Sequence, residues 1–161
     1  MPVVSTTKDQ NALTLTVVAD YAAPPARVWQ VFADPRQLER WWGPPTWPAT
    51  FEQHDFTVGG EATYFMTGPD GEKARGWWRF TALDEPRSLE FEDGFSDDAG
   101  EPNPQMPTMR LRVDFEETGS GTRMTVTTFF NNVEEMEQLV TMGMVEGMQQ
   151  ATGQIDAILG G

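Results

Sequence analysis

The chain has 161 residues, 39% of them hydrophobic and 22% charged, and a formal net charge of −14. This length and composition are typical of one soluble globular domain, large enough to bury a core. The charge argues against nucleic acid or an anionic membrane as a partner, because 11 basic residues against 25 acidic ones supply no basic face.

Cysteine is absent and there is one histidine. Disulfides, thiolate nucleophiles and the usual zinc sites are therefore excluded, and we expect no metal. No apolar run approaches the roughly 20 residues that a membrane span needs. The first residues show no basic segment leading into an apolar one, so we expect a cytoplasmic protein without a secretory signal.

The first third of the chain predicts one strand followed by two short helices. Residues 12–20 alternate between apolar and polar side chains, which is typical of a strand. Pro24-Pro25 then begins a helix, because proline is tolerated in a first turn. Asp34-Pro35 begins a second helix, and Gly43-Pro44-Pro45 ends it.

From Ala49 onward the hydrophobic period falls to two, which indicates strands. The predicted strands cover residues 50–58, 61–66, 74–83, 88–95, 109–116 and 123–130. Turns rich in glycine and proline separate most of them, and residues 96–107 form a longer irregular loop. With the first strand they make a seven-stranded antiparallel sheet that has one face to bury.

The last predicted element is a helix over residues 132–159, about 42 Å long at 1.5 Å per residue. Asn132, followed three residues later by Glu135, indicates a capping box at its start. Its apolar stripe consists of Met136, Val140, Met144, Met148, Ala151, Ile155 and either Ile158 or Leu159. Three glycines lie in the same segment, at positions Gly143, Gly147 and Gly153. Glycine leaves space beside a helix and methionine fills space without fixing a shape, so the stripe indicates either a cavity or an ordinary core with methionine as filler.

This helix is the only predicted element long enough to cover the sheet. The sequence therefore predicts an α+β fold, in which a curved seven-stranded antiparallel sheet wraps a long C-terminal helix. The two short helices after the first strand close one end. We expect a single domain over residues 1–161, with its core at about 12–159.

Several segments carry a resemblance to a known family. They are Pro25-Ala26-Arg27-Val28-Trp29-Gln30-Val31-Phe32, Leu38-Glu39-Arg40-Trp41-Trp42-Gly43-Pro44, Asp55-Phe56-Thr57-Val58-Gly59-Gly60, Pro69-Asp70-Gly71, Gly76, Leu83-Asp84-Glu85-Pro86-Arg87-Ser88-Leu89 and Gly147. On these residues the chain resembles the START/polyketide-cyclase (SRPBCC, helix-grip) superfamily. Within it, the chain is similar to the family of homologues of the activator of the 90-kDa heat-shock protein ATPase. Two positions depart from the family pattern: Thr57 stands where an arginine is frequent, and Met148 where a tryptophan commonly follows the helix glycine.

The resemblance implies a fold that often holds an apolar small molecule between the sheet and the last helix. It does not imply one activity, because fold is a weak warrant for function. Three functions stay open: binding of an apolar, aromatic or polyketide-like molecule, a cyclase- or hydrolase-like enzyme that uses His54 with Tyr64 or an acid, and a protein-binding co-chaperone. The first is our leading hypothesis, and homodimerisation also stays open.

Aromatic residues are the strongest indication of a ligand site. Trp41, Trp42 and Trp47 cluster around the glycine-proline break, and strand alternation sends Trp78 rather than Trp77 inward. Core packing alone would also explain such aromatics. The predicted ligand-binding residues are Trp42, His54, Tyr64, Trp78, Phe91, Phe95, Met144 and Met148.

The polar residues give a weaker indication of function than the aromatic residues do. His54 shares a strand face with Phe56 and Val58, so it is a candidate catalytic base, although an ordinary strand histidine fits better. Acids such as Asp93, together with several arginines, are expected mostly on the polar face of the sheet as solvated pairs. The chain has no Ser-His-acid order, phosphate loop or dinucleotide fingerprint, so we expect no cofactor, and nothing requires an enzyme.

Overall fold

The computed structural model describes residues 3–160, which form one antiparallel sheet covered by helices. The strands are β1 (Val3–Asp9), β2 (Thr14–Tyr21), β3 (Ala49–His54), β4 (Glu61–Thr67), β5 (Lys73–Asp84), β6 (Ser88–Phe95), β7 (Met109–Thr118) and β8 (Gly121–Phe129). The helices are α1 (Pro25–Ala33), α2 (Pro35–Leu38), α3 (Val133–Thr141), α4 (Met144–Gly153) and α5 (Ile155–Ile158). The strand order across the sheet is β1-β2-β8-β7-β6-β5-β4-β3. This is the predicted α+β helix-grip arrangement, with eight strands instead of seven.

The additional strand is β1, which pairs with β2 at one edge of the sheet. Most of its side chains are exposed on both faces. An edge strand of this kind lacks the alternation of apolar and polar residues by which strands are recognised in a sequence. The strand is therefore visible only through its backbone pairing.

The other strands bury one face by alternation, with irregularities in β3 and β5. In β7, Leu111, Val113 and Phe115 are buried, and Arg112 between them reaches Glu90 of β6 at 2.9 Å on the opposite face. Strand β3 ends at His54 rather than at Val58, which is 65% exposed in the following loop. The predicted strand face shared by His54 and Val58 is therefore wrong.

The two short helices begin as predicted, at prolines. Pro25 opens α1, and Asp34 caps α2 by accepting a hydrogen bond from the backbone N–H of Arg36. Trp41, just after α2, is buried and donates from its indole N–H to the carbonyl of Val31 at 2.8 Å. The indole therefore fastens the segment that follows α2 onto α1.

The C-terminal helical segment covers the predicted range but is interrupted twice. Asn132 caps α3 by accepting from the N–H of Glu135 at 2.8 Å. Gly143 has φ +93°, a left-handed conformation that an α-helix cannot continue through, so α3 ends and α4 begins there. A second break at Gln154 separates α4 from α5. Among residues 3–160, no helix is both long and apolar enough to cross a membrane.

Candidate functional site

A cavity of about 280 Å³ lies between the inner face of the sheet and helices α3 and α4. Its walls come from strands β4, β6 and β7, from the segment after α2, and from the two helices. The lining residues are Trp42, Gly43, Pro44, Tyr64, Met66, Asp93, Phe95, Met109, Leu139, Met142, Gly143, Met144, Gly147, Met148 and Ala151. Met142 is 56% exposed, which places the break between α3 and α4 at the rim.

The Trp42-Gly43 segment is held against the helices by a side chain from the second helix break. Gln154 donates from its amide to the carbonyl of Gly43 at 2.8 Å. Gly43 has φ +105°, and a Cβ at this position would overlap the carbonyl of Trp47. Glycine is therefore required for the turn that brings Trp42 into the cavity wall.

Tyr64 and Asp93 place two polar groups in this otherwise apolar wall. Tyr64 lies on β4 opposite Gly76 of β5, and a Cβ at Gly76 would overlap the phenol ring. The glycine therefore makes room for the tyrosine. The Tyr64 hydroxyl donates a hydrogen bond to Oδ1 of Asp93 on β6 at 3.2 Å. Both residues are buried, and Asp93 is only 7% exposed.

Burial dominates the protonation behaviour of this pair. Loss of water raises the pKa of Asp93 to about 7, against the smaller opposing effects of the Tyr64 hydroxyl and the nearby Trp78 indole. Burial, with the negative charge of Asp93 added to it, raises the pKa of Tyr64 well above its ordinary value. The tyrosine is therefore neutral near pH 7, while the aspartate titrates there.

Behind the cavity wall the aromatic rings form a second layer. The Trp42 ring lies 4.7 Å from that of Trp78, and Trp78 stacks on Phe91 at 4.1 Å between ring centroids. The indole N–H groups of Trp42 and Trp78 are buried without a hydrogen bond of acceptable geometry among the described residues. Neither indole N–H is fully satisfied, although the Trp78 indole lies close enough to Asp93 to lower the pKa of its carboxyl.

The structure brings together five of the eight predicted ligand-binding residues. Trp42, Tyr64, Phe95, Met144 and Met148 line the cavity. Trp78 and Phe91 are fully buried behind Trp42 and do not line it.

His54 lies away from the cavity. Its Nε2 is 3.0 Å from the carbonyl of Phe32, so this nitrogen carries the proton and donates it. The imidazole stacks on the ring of Phe56, with 5.5 Å between the ring centroids. The pKa of His54 is lowered, mainly because the ring is partly buried, so the imidazole is neutral near pH 7. These are the contacts of a packed, hydrogen-bonded histidine.

Sequence reasoning missed Asp93, which it grouped with the acids of the polar face. The carboxyl instead shares the inner face of β6 with Leu89 and Phe91. The two-residue spacing from Phe91 was a sufficient signal for an inward position. It also missed three methionines of the lining, namely Met66, Met109 and Met142. Within the described range, no group of three or more His, Cys, Asp or Glu side chains is placed to hold a metal.

Comparisons with solved structures give close matches over nearly the whole chain. A solution structure of a protein from Arthrobacter aurescens is 54% identical, with a TM-score of 0.95 over 98% of this chain and 92% of that one. A crystal structure of a protein from Mycobacterium smegmatis is 49% identical, with a TM-score of 0.90 over 98% and 97%. A protein from Staphylococcus epidermidis, 24% identical with a TM-score of 0.84 over 98% and 94%, shares the fold.

A comparison with curated proteins gives no match. The family described as "Activator of Hsp90 ATPase homolog 1-like protein" matches residues 22–160. This range covers everything from the start of α1 to the end of α5, including all the residues that line the cavity. The resemblance read from the sequence is confirmed. The chain belongs to the family of activator of Hsp90 ATPase homolog 1-like proteins, within the START/polyketide-cyclase superfamily.

Proposed function

We propose that this protein binds a small apolar molecule with an aromatic body in the cavity between the sheet and helices α3 and α4. Family membership supports a ligand-binding helix-grip domain in general. The observation that carries the finer proposal is the cavity itself, whose lining is apolar except for the side chains of Tyr64 and Asp93. Ligand pockets typically combine an apolar wall with a few placed polar groups, which fix the orientation of the ligand.

The volume of the cavity and the flexibility of its lining limit which ligands fit. A volume of about 280 Å³ is just below the usual range for ligand pockets, roughly 300–1,000 Å³. Five of the lining residues are methionines, whose flexible thioethers adapt to different shapes. We therefore expect compact two-ring molecules to fit better than long chains or large polyketides.

Catalysis that uses His54 as the base is disfavoured, because this residue lies elsewhere. His54 does not line the cavity, and its ring already donates to a backbone carbonyl. The co-chaperone alternative would need a continuous exposed apolar patch. In the described part of the chain, the large exposed apolar residues are Val4 on β1, Val58 in the loop after β3, and Val133 and Met142 at the two ends of α3. The cytoplasmic location and homodimerisation stay predictions.

The proposal is tested with two-ring aromatic probes, such as naphthol and naphthylmethanol, in native mass spectrometry and thermal unfolding. A ligand at 100 times its dissociation constant adds about 2.7 kcal/mol to the free energy of unfolding. For a chain of this length that corresponds to a rise of roughly 5–10 °C in Tm. If no probe is retained and none shifts Tm, the proposal is wrong.

A matched pair of glycine variants locates the binding site. Gly147 lines the cavity and Gly153 does not, yet both lie in α4 with open space where a Cβ would go. We expect Gly147→Leu to weaken probe binding by about tenfold or more, because the new side chain takes up cavity volume. Gly153→Leu should leave binding within about twofold, since it adds the same group outside the cavity. Equal effects of the two variants would place the probe elsewhere.

A further inference from the structure

Asp93 is the single charged side chain among the residues that line the cavity. From the other walls it faces only one more titratable group, the phenol of Tyr64 on β4. Strand β7 and helices α3 and α4 contribute apolar side chains and glycine. No arginine, lysine or histidine of residues 3–160 forms an ion pair with Asp93 or adds a positive charge that lowers its pKa.

A buried carboxyl without a cationic partner is costly to the folded protein. Taking an ionised carboxylate out of water is unfavourable unless a positive charge or several hydrogen bonds compensate for it. Here the protein supplies one hydrogen bond of 3.2 Å from Tyr64 and a smaller contribution from the Trp78 indole, but no positive charge. The missing partner is therefore a positive charge, and the cavity is the space in which it would lie.

The surroundings of the carboxyl also favour a cation over an anion. Trp42, Tyr64 and Phe95 line the same cavity, and aromatic rings attract cations that approach their faces. A carboxylate ligand would bring a second negative charge next to Asp93, which is unfavourable. The net charge of −14 adds a long-range field that attracts cations and repels anions.

We propose that the cavity selects apolar arylalkylamines, whose ammonium group pairs with the Asp93 carboxylate while the ring system fills the methionine-rich remainder. This inference rests on the proposed function, because it names the ligand class of the same cavity. It excludes fatty acids and other carboxylates as preferred ligands. Binding involves no covalent step.

The selectivity has a pH dependence with a defined sign. The amine binds the ionised form of Asp93, and burial raises the pKa of that carboxyl to about 7. The fraction of protein that is competent to bind therefore rises about tenfold between pH 6 and pH 8 and then levels off. A primary alkylamine stays protonated over this range, so its own titration does not contribute.

Four naphthalene-based probes that differ in one substituent test which charge the cavity prefers. Naphthylmethylamine carries a cation, naphthylmethanol a neutral polar group, methylnaphthalene no polar group, and naphthoic acid an anion. Their affinities are measured by isothermal titration calorimetry at pH 8 and compared. We expect the amine to bind about tenfold or more tightly than the alcohol and the acid to bind most weakly, because hydrogen bonds between charged groups are the strong ones.

Two isosteric variants assign the preference to one carboxyl. Asp93→Asn should reduce the affinity for the amine about tenfold and leave the alcohol within about threefold. Glu92→Gln is the matched control, since it removes the same charge from the neighbouring residue, which pairs with Arg79 and does not line the cavity. It should leave the preference for the amine unchanged.

The outcomes distinguish this inference from the proposed function. Equal binding of the amine and the alcohol, or an amine preference that survives in Asp93→Asn, overturns the selectivity and leaves apolar binding in place. Failure of all four probes counts against both. If Asp93→Asn does not fold, the wild-type pH profile decides: an amine affinity that is flat between pH 6 and pH 8 overturns the inference.

Discussion

The Asp93–Tyr64 pair places two polar groups inside an apolar wall, and the aspartate is the more costly of the two to bury. Its carboxyl is buried, has one hydrogen bond of 3.2 Å, and has a pKa raised to about 7. In the unfolded chain the same group has a pKa near 3.8. Asp93 therefore links the stability of the fold to pH.

The sign of this linkage follows from proton counts. Between about pH 4 and pH 7 the folded state holds more protons on Asp93 than the unfolded state does. Its contribution to the free energy of unfolding therefore falls as pH rises, by up to about 1.4 kcal/mol per pH unit, and levels off above pH 7. Asp93→Asn should remove this contribution, so the variant gains stability relative to wild type as pH rises.

Urea unfolding of both proteins at pH 5, 6, 7 and 8 measures the difference. Comparing the two cancels the titration of other carboxyls, such as Asp20, whose pKa is lowered by its hydrogen bond to Arg123. Glu92→Gln again serves as the control and should track wild type at every pH. A constant difference between Asp93→Asn and wild type over this range would show that Asp93 does not titrate there.

Among the elements, the break between α3 and α4 has the largest effect on the site. Gly143 adopts φ +93°, and the residues on its two sides, Met142 and Met144, both line the cavity. An uninterrupted helix would continue in the direction of α3. The break is therefore what forms the rim of the cavity.

We expect Gly143→Ala to lower the free energy of unfolding by about 1–2 kcal/mol, because a residue with a Cβ is strained in the left-handed region. Gly147→Ala, four residues along, should raise it by about 1 kcal/mol, since alanine is the better helix former and has open space there. Urea unfolding measures the free energy of unfolding of both variants. We expect the same glycine-to-alanine substitution to change it in opposite directions at the two positions. A gain in stability for Gly143→Ala would show that the helix can run through this position.

At the scale of the whole molecule, a hydrophobic core within residues 3–160 runs from α1 across the sheet to α4 and α5. It includes Trp29 of α1, Phe91 of β6 and Ile155 of α5, all buried. Tyr21 of β2 adds a hydrogen bond of 2.8 Å to the carbonyl of Thr152, which fastens α4 to the sheet. That residues 1–161 form a single domain stays a prediction.

We therefore expect one cooperative unfolding transition. Tryptophan fluorescence, which reports on the core, and far-ultraviolet circular dichroism, which reports on sheet and helices, should give the same midpoint. For 161 residues the calorimetric enthalpy should be about 110 kcal/mol near 60 °C and equal to the van't Hoff value. A separate early transition of the helical signal would mean that the C-terminal helices form a unit of their own.

Much of this architecture follows from local patterns. Two-residue alternation predicts strands β2 and β4 to β8, and prolines and capping residues predict the helix starts at Pro25 and Asn132. The same alternation turns Trp78 rather than Trp77 toward the core. These features depend on side chains within a few residues of each other, so their signal is complete in a short stretch of chain.

The cavity and its polar pair depend on residues far apart in the chain. Trp42, Tyr64, Asp93 and Met148 meet only because the sheet curves and the last helical segment breaks at Gly143. Alternation can direct Asp93 inward, but it cannot tell whether the carboxyl meets solvent, a cation or an apolar space, since that depends on which elements pack opposite β6. The pattern of the chain thus decides which faces are buried, and long-range packing decides which of them leave a gap and which charge lies next to it.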